Sequence, residues 1–189
     1  MNIEIISGSP RENSISNRVA LFLQNQLIKT SSHSVGIIDV REWNLPLLQN
    51  VFSSVNNTPT EFKALAERMF NADAFILVTP EYNGSYTPAL KNLFDYFPKQ
   101  SRKTFGIVTA SPGMMGGIRA SQQLQLLINA LFGIASPHML ITPQVDKKFG
   151  NAAELIDSTF QKNIDLFIAE FLWLSENLQQ TKVLENLQV

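Results

Sequence analysis

Cysteine is absent from the 189 residues of this chain. Its absence excludes disulfide bonds, thiolate catalysis, and zinc or iron–sulfur sites held by cysteine. Histidine is nearly absent too, because only His33 and His138 occur and they lie far apart in the sequence. Two isolated histidines do not make a metal site, so we predict none.

The chain also lacks an excess of positive or negative charge, and it lacks any long apolar run. The chain has fifteen basic and sixteen acidic residues, which gives a net charge of −1. Without a basic arm or cluster, we expect no nucleic-acid partner. No apolar run approaches the ~20 residues of a membrane-spanning helix, and we expect no secretory leader before the first strand. We therefore expect no membrane partner and a cytoplasmic location.

Strand and helix patterns alternate along the whole chain. Short runs rich in β-branched residues predict strands at residues 3–6, 35–40, 74–78, 104–109 and 137–141. Apolar residues at helical spacing predict helices at residues 15–27, 62–69, 88–96, 118–131 and 156–174.

Five such units predict an α/β fold, in which helices cover both faces of a parallel sheet. Right-handed crossovers favour a doubly wound, flavodoxin-like sheet with strand order 2-1-3-4-5. We see no repeat, low-complexity tract or linker, so residues 1–189 are expected to form one domain. Residues 50–60 are interpreted as a surface loop.

The loop after the first strand is polar and leads into a helix. Donors that suit a terminal phosphate occur together here, next to a positive helix end. The candidate contacts are Ser9, Arg11, Ser14, Ser16 and Asn17. The loop has neither the lysine of a Walker motif nor the glycine spacing of a dinucleotide fingerprint. An ordinary capped helix is the alternative, and this loop alone does not decide between them.

The loop after the third strand combines a fixed backbone with an aromatic side chain. Proline restricts φ, and glycine permits a close approach or an unusual φ. The candidate contacts to a flat heterocycle are Pro80, Glu81, Tyr82, Asn83 and Gly84. An ordinary strand-to-helix turn is the alternative. No second titratable group that could serve as an acid–base partner of Glu81 lies near it in the sequence, so Glu81 is not a convincing general acid.

The loop after the fourth strand is rich in glycine, which costs backbone entropy and therefore needs a reason. The candidate contacts are Ser111, Gly113, Gly116 and Gly117. In a doubly wound sheet, the loops after strands 1, 3 and 4 rise on the same edge. The three loops together therefore predict one ligand site.

Three motifs resemble the NAD(P)H-dependent FMN reductase family, which includes quinone, azo-dye and chromate reductases. They occur in the family's order, at the predicted strand ends, within residues 3–142. The matching residues are Gly8-Ser9-x-Arg11-x-x-Ser14; Pro80-Glu81-Tyr82-Asn83-x-Ser85 with Leu90-Lys91-Asn92 and Asp95; and Ser111-x-Gly113-x-x-Gly116-Gly117-x-Arg119-Ala120.

The resemblance implies an enzyme with non-covalently bound FMN and NADPH or NADH as co-substrate. The loop after the first strand (the first loop) would hold the FMN phosphate. The loop after the third strand (the second loop) would line the isoalloxazine ring, and the loop after the fourth strand (the third loop) would close the other side. Hydride would pass from the nicotinamide to flavin N5, and then to a quinone, azo or nitro compound, flavin or metal oxyanion, in a ping-pong scheme. Because the flavin carries the chemistry, no catalytic side chain is named. Members are usually homodimers or homotetramers.

This chain departs from the family pattern at three places. Ser16 stands where the family often has asparagine, with Asn17 one position later. The segment 87–89 replaces a common Pro-Gly pair, and Tyr96 replaces a frequent tryptophan. Two other functions remain open from the sequence: a flavodoxin-type electron carrier, against which the near-neutral charge argues, and a flavodoxin-like interaction module without enzymatic activity.

Overall fold

The computed structural model describes residues 1–187, with side chains through residue 181. Its strands are β1 (Asn2–Ser7), β2 (Ser34–Asp39), β3 (Ala74–Thr79), β4 (Thr104–Ser111), β5 (Ile134–Ala135) and β6 (Leu140–Pro143). Its helices are α1 (Ile15–Thr30), α2 (Lys63–Asn71), α3 (Pro88–Asp95), α4 (Ile118–Ala130), α5 (Val145–Lys148) and α6 (Gln161–Leu187).

All strand pairs are parallel, and the order β2-β1-β3-β4-β5 confirms the predicted topology. The carboxyl ends of the central strands are aligned, because Ser7 pairs with Val78 and Val78 pairs with Val108. The loops that follow β1, β3 and β4 therefore start at the same edge of the sheet.

The fifth position of the sheet holds two short strands instead of the single predicted strand at residues 137–141. β5 pairs with the beginning of β4 and β6 with its end. Pro137 lies in the interruption between them. Proline has no N–H to donate to a ladder, which explains why the strand cannot continue through this residue.

Two apolar layers form the core, one on each face of the sheet. One layer packs α1 and α6 against alternate residues of β3 such as Ile76 and Val78. The other packs α2, α3 and α4 against the intervening residues Phe75 and Leu77. Helices therefore cover both faces, as predicted, and β3 is fully buried.

The last helix begins later than predicted. Ile156 is 55% exposed and lies before the helix. The Asp157 carboxylate accepts a hydrogen bond from the Thr159 N–H at 3.1 Å and starts a 3₁₀ turn that leads into α6. A hydrogen bond from the Thr159 hydroxyl also lowers the pKa of Asp157. Beyond this cap the predicted apolar stripe is buried at Phe160, Ile164, Phe167 and Phe171, and Leu174 at its end is partly buried. Within residues 1–187, no helix is both long and apolar enough to span a bilayer.

Candidate cofactor site

The loops after β1 and β3 are joined by direct hydrogen bonds. The Gly8 N–H donates to the Val78 carbonyl at 2.8 Å, and the Thr87 hydroxyl donates to the Gly8 carbonyl. Thr87 also caps α3 by accepting from the Leu90 N–H at 3.2 Å. A Cβ at Gly8 would lie 2.5 Å from Leu90 Cδ1. Glycine is therefore needed here for close packing of the loop against α3.

A cleft of about 110 Å³ opens between the three loops. It brings together six of the residues proposed from sequence, three of them serines. The lining residues are Ser9, Arg11, Asn13, Ser14, Ile15, Ser16, Pro80, Tyr82, Ala110, Pro112 and Val145. Sequence reasoning missed Val145, which α5 supplies, because no pattern predicted that four-residue helix. The other proposed contacts lie in the flanking loops outside this lining.

The start of α1 supplies several hydroxyls to the cleft. Ser14 is the N-cap of α1, and its oxygen accepts from the Asn17 N–H at 3.2 Å. The hydroxyls of Ser14 and Ser16 lie 3.0 Å apart. The Ser9 hydroxyl accepts from the Arg11 N–H at 3.4 Å. The capped-helix alternative is therefore correct for Ser14, and it coexists with a cleft that presents hydroxyls and a positive helix end.

Arg11 and Tyr82 meet across the cleft. The guanidinium carbon of Arg11 lies 4.9 Å from the centroid of the Tyr82 ring, within the range of a cation–π contact. The Tyr82 hydroxyl is buried and has no hydrogen-bond partner among the described residues. Such orphaned buried groups are uncommon in folded proteins. Both residues line the cleft, and both have side-chain donors with no hydrogen-bond partner among the described residues.

Asn83 and Gly84 form a two-residue hairpin turn. Their φ values are 50° and 87°, and Tyr82 and Ser85 exchange two backbone hydrogen bonds of 2.8 and 3.1 Å. Positive φ at both central residues is typical of a type I′ turn, for which Asn-Gly is the preferred sequence. A Cβ at Gly84 would meet only Arg119 Cδ, at 3.8 Å. The backbone conformation therefore explains this glycine.

Glu81 turns its carboxylate away from the cleft toward helix α4. Its Oε2 accepts from the Arg119 N–H at 3.1 Å and from the Ala120 N–H at 3.4 Å, and its Oε1 lies 3.4 Å from the Arg119 guanidinium. Helix α4 has no cap from its own N-cap residue, Gly117. Glu81 therefore caps α4 from a different loop and joins the second loop to the third.

The glycines of the third loop have different local environments. Gly116 and Gly117 have φ values of 60° and 87°. A Cβ on Gly116 would lie 2.7 Å from the Pro143 nitrogen, and one on Gly117 would lie 2.9 Å from Thr109 Cβ. A Cβ on Gly113 would meet only the Ser111 hydroxyl, at 3.4 Å, which already accepts from the Gly113 N–H. Internal packing therefore explains two of these glycines, whereas Gly113 adjoins open space.

Asn17 points away from the cleft, toward the end of β2. Its amide nitrogen donates to Asp39 Oδ2 at 3.0 Å, and its amide oxygen is buried without a partner among the described residues. The Arg41 Nε donates to both oxygens of the same carboxylate, at 2.9 and 3.1 Å. Hydrogen bonding to Asp39 raises the pKa of Arg41. In the loop between β3 and α3, burial raises the pKa of Tyr86, aided by the charge of Asp95.

A larger cavity, of about 480 Å³, lies at the opposite edge of the sheet. Its lining includes Asp73, Thr104 and Ile134 at the amino ends of strands, together with residues of α6. None of the residues proposed from sequence lines it. Ligands of open α/β sheets bind at the carboxyl ends of the strands, so the smaller cleft is the better candidate for a cofactor.

The family model for NADPH-dependent FMN reductase matches residues 1–146. The chain belongs to this family. An FMN-dependent NADPH-azoreductase of Staphylococcus aureus strain USA300 is 33% identical over 184 residues, which cover 92% of this chain and 94% of that protein. The protein of the same description from Staphylococcus haemolyticus strain JCSC1435 is 32% identical over the same coverage. Family membership confirms the predicted class, an NAD(P)H-dependent oxidoreductase with FMN as cofactor.

Solved structures show the same fold. The flavoenzyme FerB, an NAD(P)H:(acceptor) oxidoreductase from Paracoccus denitrificans, superposes with a TM-score of 0.76 at 19% identity, covering 93% of this chain and 97% of FerB. A mutant flavodoxin from Pseudomonas aeruginosa superposes with a TM-score of 0.54 at 20% identity, covering 90% of this chain and 99% of that flavodoxin. The fold is therefore flavodoxin-like, as the strand pattern predicted.

Proposed function

We propose that this family member carries reducing equivalents from NADPH or NADH through FMN to a small organic acceptor. The observation that supports this most is the convergence of serine hydroxyls, the Arg11 guanidinium and the start of α1 on one cleft beside the Asn-Gly turn. A phosphate needs these donors, and the ring needs an open edge next to them.

The residues present fit the phosphate end of FMN. We propose that Ser9, Ser14 and Ser16 donate hydrogen bonds to it and that Arg11 is its cation. A cleft of about 110 Å³ suits a phosphate and its adjoining chain, but not a tricyclic ring as well. For Asn17, whose amide nitrogen is already bound to Asp39, we propose an indirect role.

The ring would then lie along the second and third loops. We propose contacts from the Pro80 to Gly84 loop on one side and from Ser111, Gly113, Gly116 and Gly117 on the other. The open space beside Gly113 supports this arrangement, because no protein atom requires glycine there. For Glu81 we propose contact through its backbone, since its carboxylate caps α4.

Held at this site, FMN would supply the redox chemistry, namely hydride uptake from the nicotinamide and two-electron reduction of the second substrate. The protein residues bind and orient: hydroxyls and Arg11 hold one end, and the two loops limit access of water to the other. Both substrates would use the same open face in turn, which makes the scheme ping-pong. The relatives' description as azoreductases supports an azo compound among the proposed acceptors.

Spectroscopy of the purified protein tests this proposal. We expect a flavin absorbance spectrum that bleaches on anaerobic addition of NADPH or NADH and returns on addition of an azo dye or quinone. Initial rates at varied concentrations of both substrates should give parallel double-reciprocal lines. A colourless protein that does not bind added FMN would end the proposal. Bound FMN that neither nucleotide reduces directly would favour the flavodoxin-type carrier.

We also propose that the enzyme is a homodimer or homotetramer. Met114 and Met115 are 75% and 64% exposed beside the site, and Leu47 is 80% exposed in the loop after β2. Exposed apolar side chains next to a site are common at subunit contacts. Sedimentation of the FMN-bound protein should give two or four times the 21.2 kDa monomer mass. A monomer with FMN bound would refute this part alone. The cytoplasmic location stays a prediction.

A further inference from the structure

The end of β2 carries a buried carboxylate that is hydrogen-bonded to the start of α1, next to the proposed phosphate contacts. Asp39 is the last residue of β2, and its side chain is only 7% exposed. It accepts from the Asn17 amide at 3.0 Å, and the Asn17 backbone N–H in turn donates to Ser14 in the cleft. A negative charge therefore lies two hydrogen bonds away from the hydroxyls that would receive an anion.

Arg41 surrounds this carboxylate with donors. Its backbone N–H donates to Asp39 Oδ1 at 3.0 Å, its Nε contacts both oxygens, and a terminal nitrogen forms the ion pair. The other terminal nitrogen donates to the Glu12 carbonyl at 2.8 Å, within the loop after β1. The fork geometry of a guanidinium makes this bidentate contact, which an ammonium group cannot reproduce.

We propose that Arg41 is a positioning residue for the cofactor phosphate, and that it acts by neutralising Asp39. The inference rests on the proposed function, because it requires FMN at the cleft. A buried carboxylate without its cation would oppose a phosphate carrying up to two negative charges, and the low dielectric of the interior would strengthen that repulsion. With Arg41 in place, Asp39 can hold Asn17 and the first turn of α1 without opposing the anion.

The charged groups around the pair are consistent with this role. Glu42, the next residue, adds a second negative charge that favours the charged form of Arg41. Arg11, the proposed phosphate cation, contacts the Tyr82 ring and shares no hydrogen bond with this network among the described residues. Neutralisation of Asp39 is therefore separate from direct binding of the phosphate.

The test compares FMN with riboflavin, which has the same ring but no phosphate. The full-length apoprotein is titrated with each, and quenching of flavin fluorescence is followed. Arg41→Ala should weaken FMN binding by about ten-fold or more, the scale of one charged hydrogen bond, and leave riboflavin binding within about two-fold. Asp39→Asn should leave FMN binding equal to wild type or tighter. Lys29→Ala, which removes an exposed cation in the last turn of α1, is the matched control.

The double variant Asp39→Asn with Arg41→Ala distinguishes neutralisation from simple tethering of the loop. If Arg41 acts on the charge of Asp39, removal of both charges restores most of the FMN affinity that Arg41→Ala loses. An FMN affinity as weak as that of Arg41→Ala alone overturns the inference, as does an equal loss for riboflavin and FMN. If Arg41→Ala does not fold, weaker FMN binding by Asp39→Asn overturns it as well. Wild-type protein that binds no FMN rejects the proposed function instead.

Discussion

At the scale of single residues, several polar side chains near the site form hydrogen bonds within the protein. The Glu81 carboxylate caps α4, the Asn17 amide binds Asp39, and the Ser14 hydroxyl caps α1. Arg11 differs from them, because its guanidinium has only the face of Tyr82 as an observed contact among the described residues. Of these four side chains, Arg11 therefore has the most hydrogen-bonding capacity left for an anion.

Replacing Arg11 should weaken FMN binding without affecting the fold. Arg11→Ala removes the proposed phosphate cation, so FMN affinity should fall by about 1.5–3 kcal/mol, the range for a hydrogen bond to a charged group. Fluorescence titration of the apoprotein measures this, with Lys29→Ala as a control of equal charge change. Unchanged affinity in Arg11→Ala would assign the phosphate to other residues.

The glycines of the third loop allow a matched comparison. Gly116→Ala places a Cβ 2.7 Å from the Pro143 nitrogen at a φ of 60°, and should lower the free energy of unfolding by roughly 1–3 kcal/mol. Gly113→Ala meets no backbone atom and should change it by less than about 0.5 kcal/mol. Urea unfolding measures both. If the ring lies beside Gly113, that variant should nevertheless bind FMN more weakly; equal stability losses would refute the comparison.

At the scale of secondary-structure elements, the site depends on contacts between loops that belong to different βα units. Thr87 at the start of α3 bonds to the Gly8 carbonyl after β1, and Glu81 after β3 caps α4. Each loop of the site is therefore held by its neighbour. The start of α4 has no side-chain cap from its own N-cap residue, so its position depends on Glu81.

Removing this distant cap should destabilise α4. Glu81→Ala leaves two backbone N–H groups without their acceptor and should cost about 1 kcal/mol of unfolding free energy, as for other N-cap losses. Glu81→Gln retains an acceptor oxygen and should cost less. Thermal or urea unfolding measures the order of the two. Glu67→Ala, on the exposed surface of α2, is the control, and a loss in Glu81→Ala no larger than the control's would contradict the capping role.

At the scale of the whole molecule, the two apolar layers lie on either side of one sheet. We propose that residues 1–189 unfold as one domain, because β3 and β4 contribute to both layers. A single transition observed by fluorescence and by circular dichroism would agree with this. Two separated transitions would contradict it.

Cofactor binding should raise the stability of this whole unit. FMN at one hundred times its dissociation constant adds about 2.7 kcal/mol, which corresponds to a rise in Tm of roughly 5–11 °C for a chain of this size. Scanning calorimetry with and without added FMN measures the shift. Arg11→Ala at the same FMN concentration should show a smaller shift. An FMN-independent Tm in the wild type would contradict binding at the cleft.

The strand order, the layers and the edge that carries the site follow from patterns of neighbouring residues. Runs such as residues 74–78 are apolar throughout because both faces are covered, and the loops at their carboxyl ends meet by topology. The unusual φ that Gly84 was expected to permit is present, in an Asn-Gly turn whose conformation depends on those two residues. Patterns of this kind involve residues only a few positions apart, so they can be recognised in the sequence alone.

Contacts between residues distant in the chain were decided only by the tertiary structure. Sequence reasoning found no titratable partner for Glu81, yet folding brings Arg119 to it across 38 positions. Asn17 was expected in the cleft, but Asp39 at the end of β2 holds its amide. Val145 reaches the cleft because β6 ends beside β4. Local sequence patterns thus determined the family of the protein and the edge of the sheet that carries the site. Packing of separate elements determined which side chains remain available to a ligand.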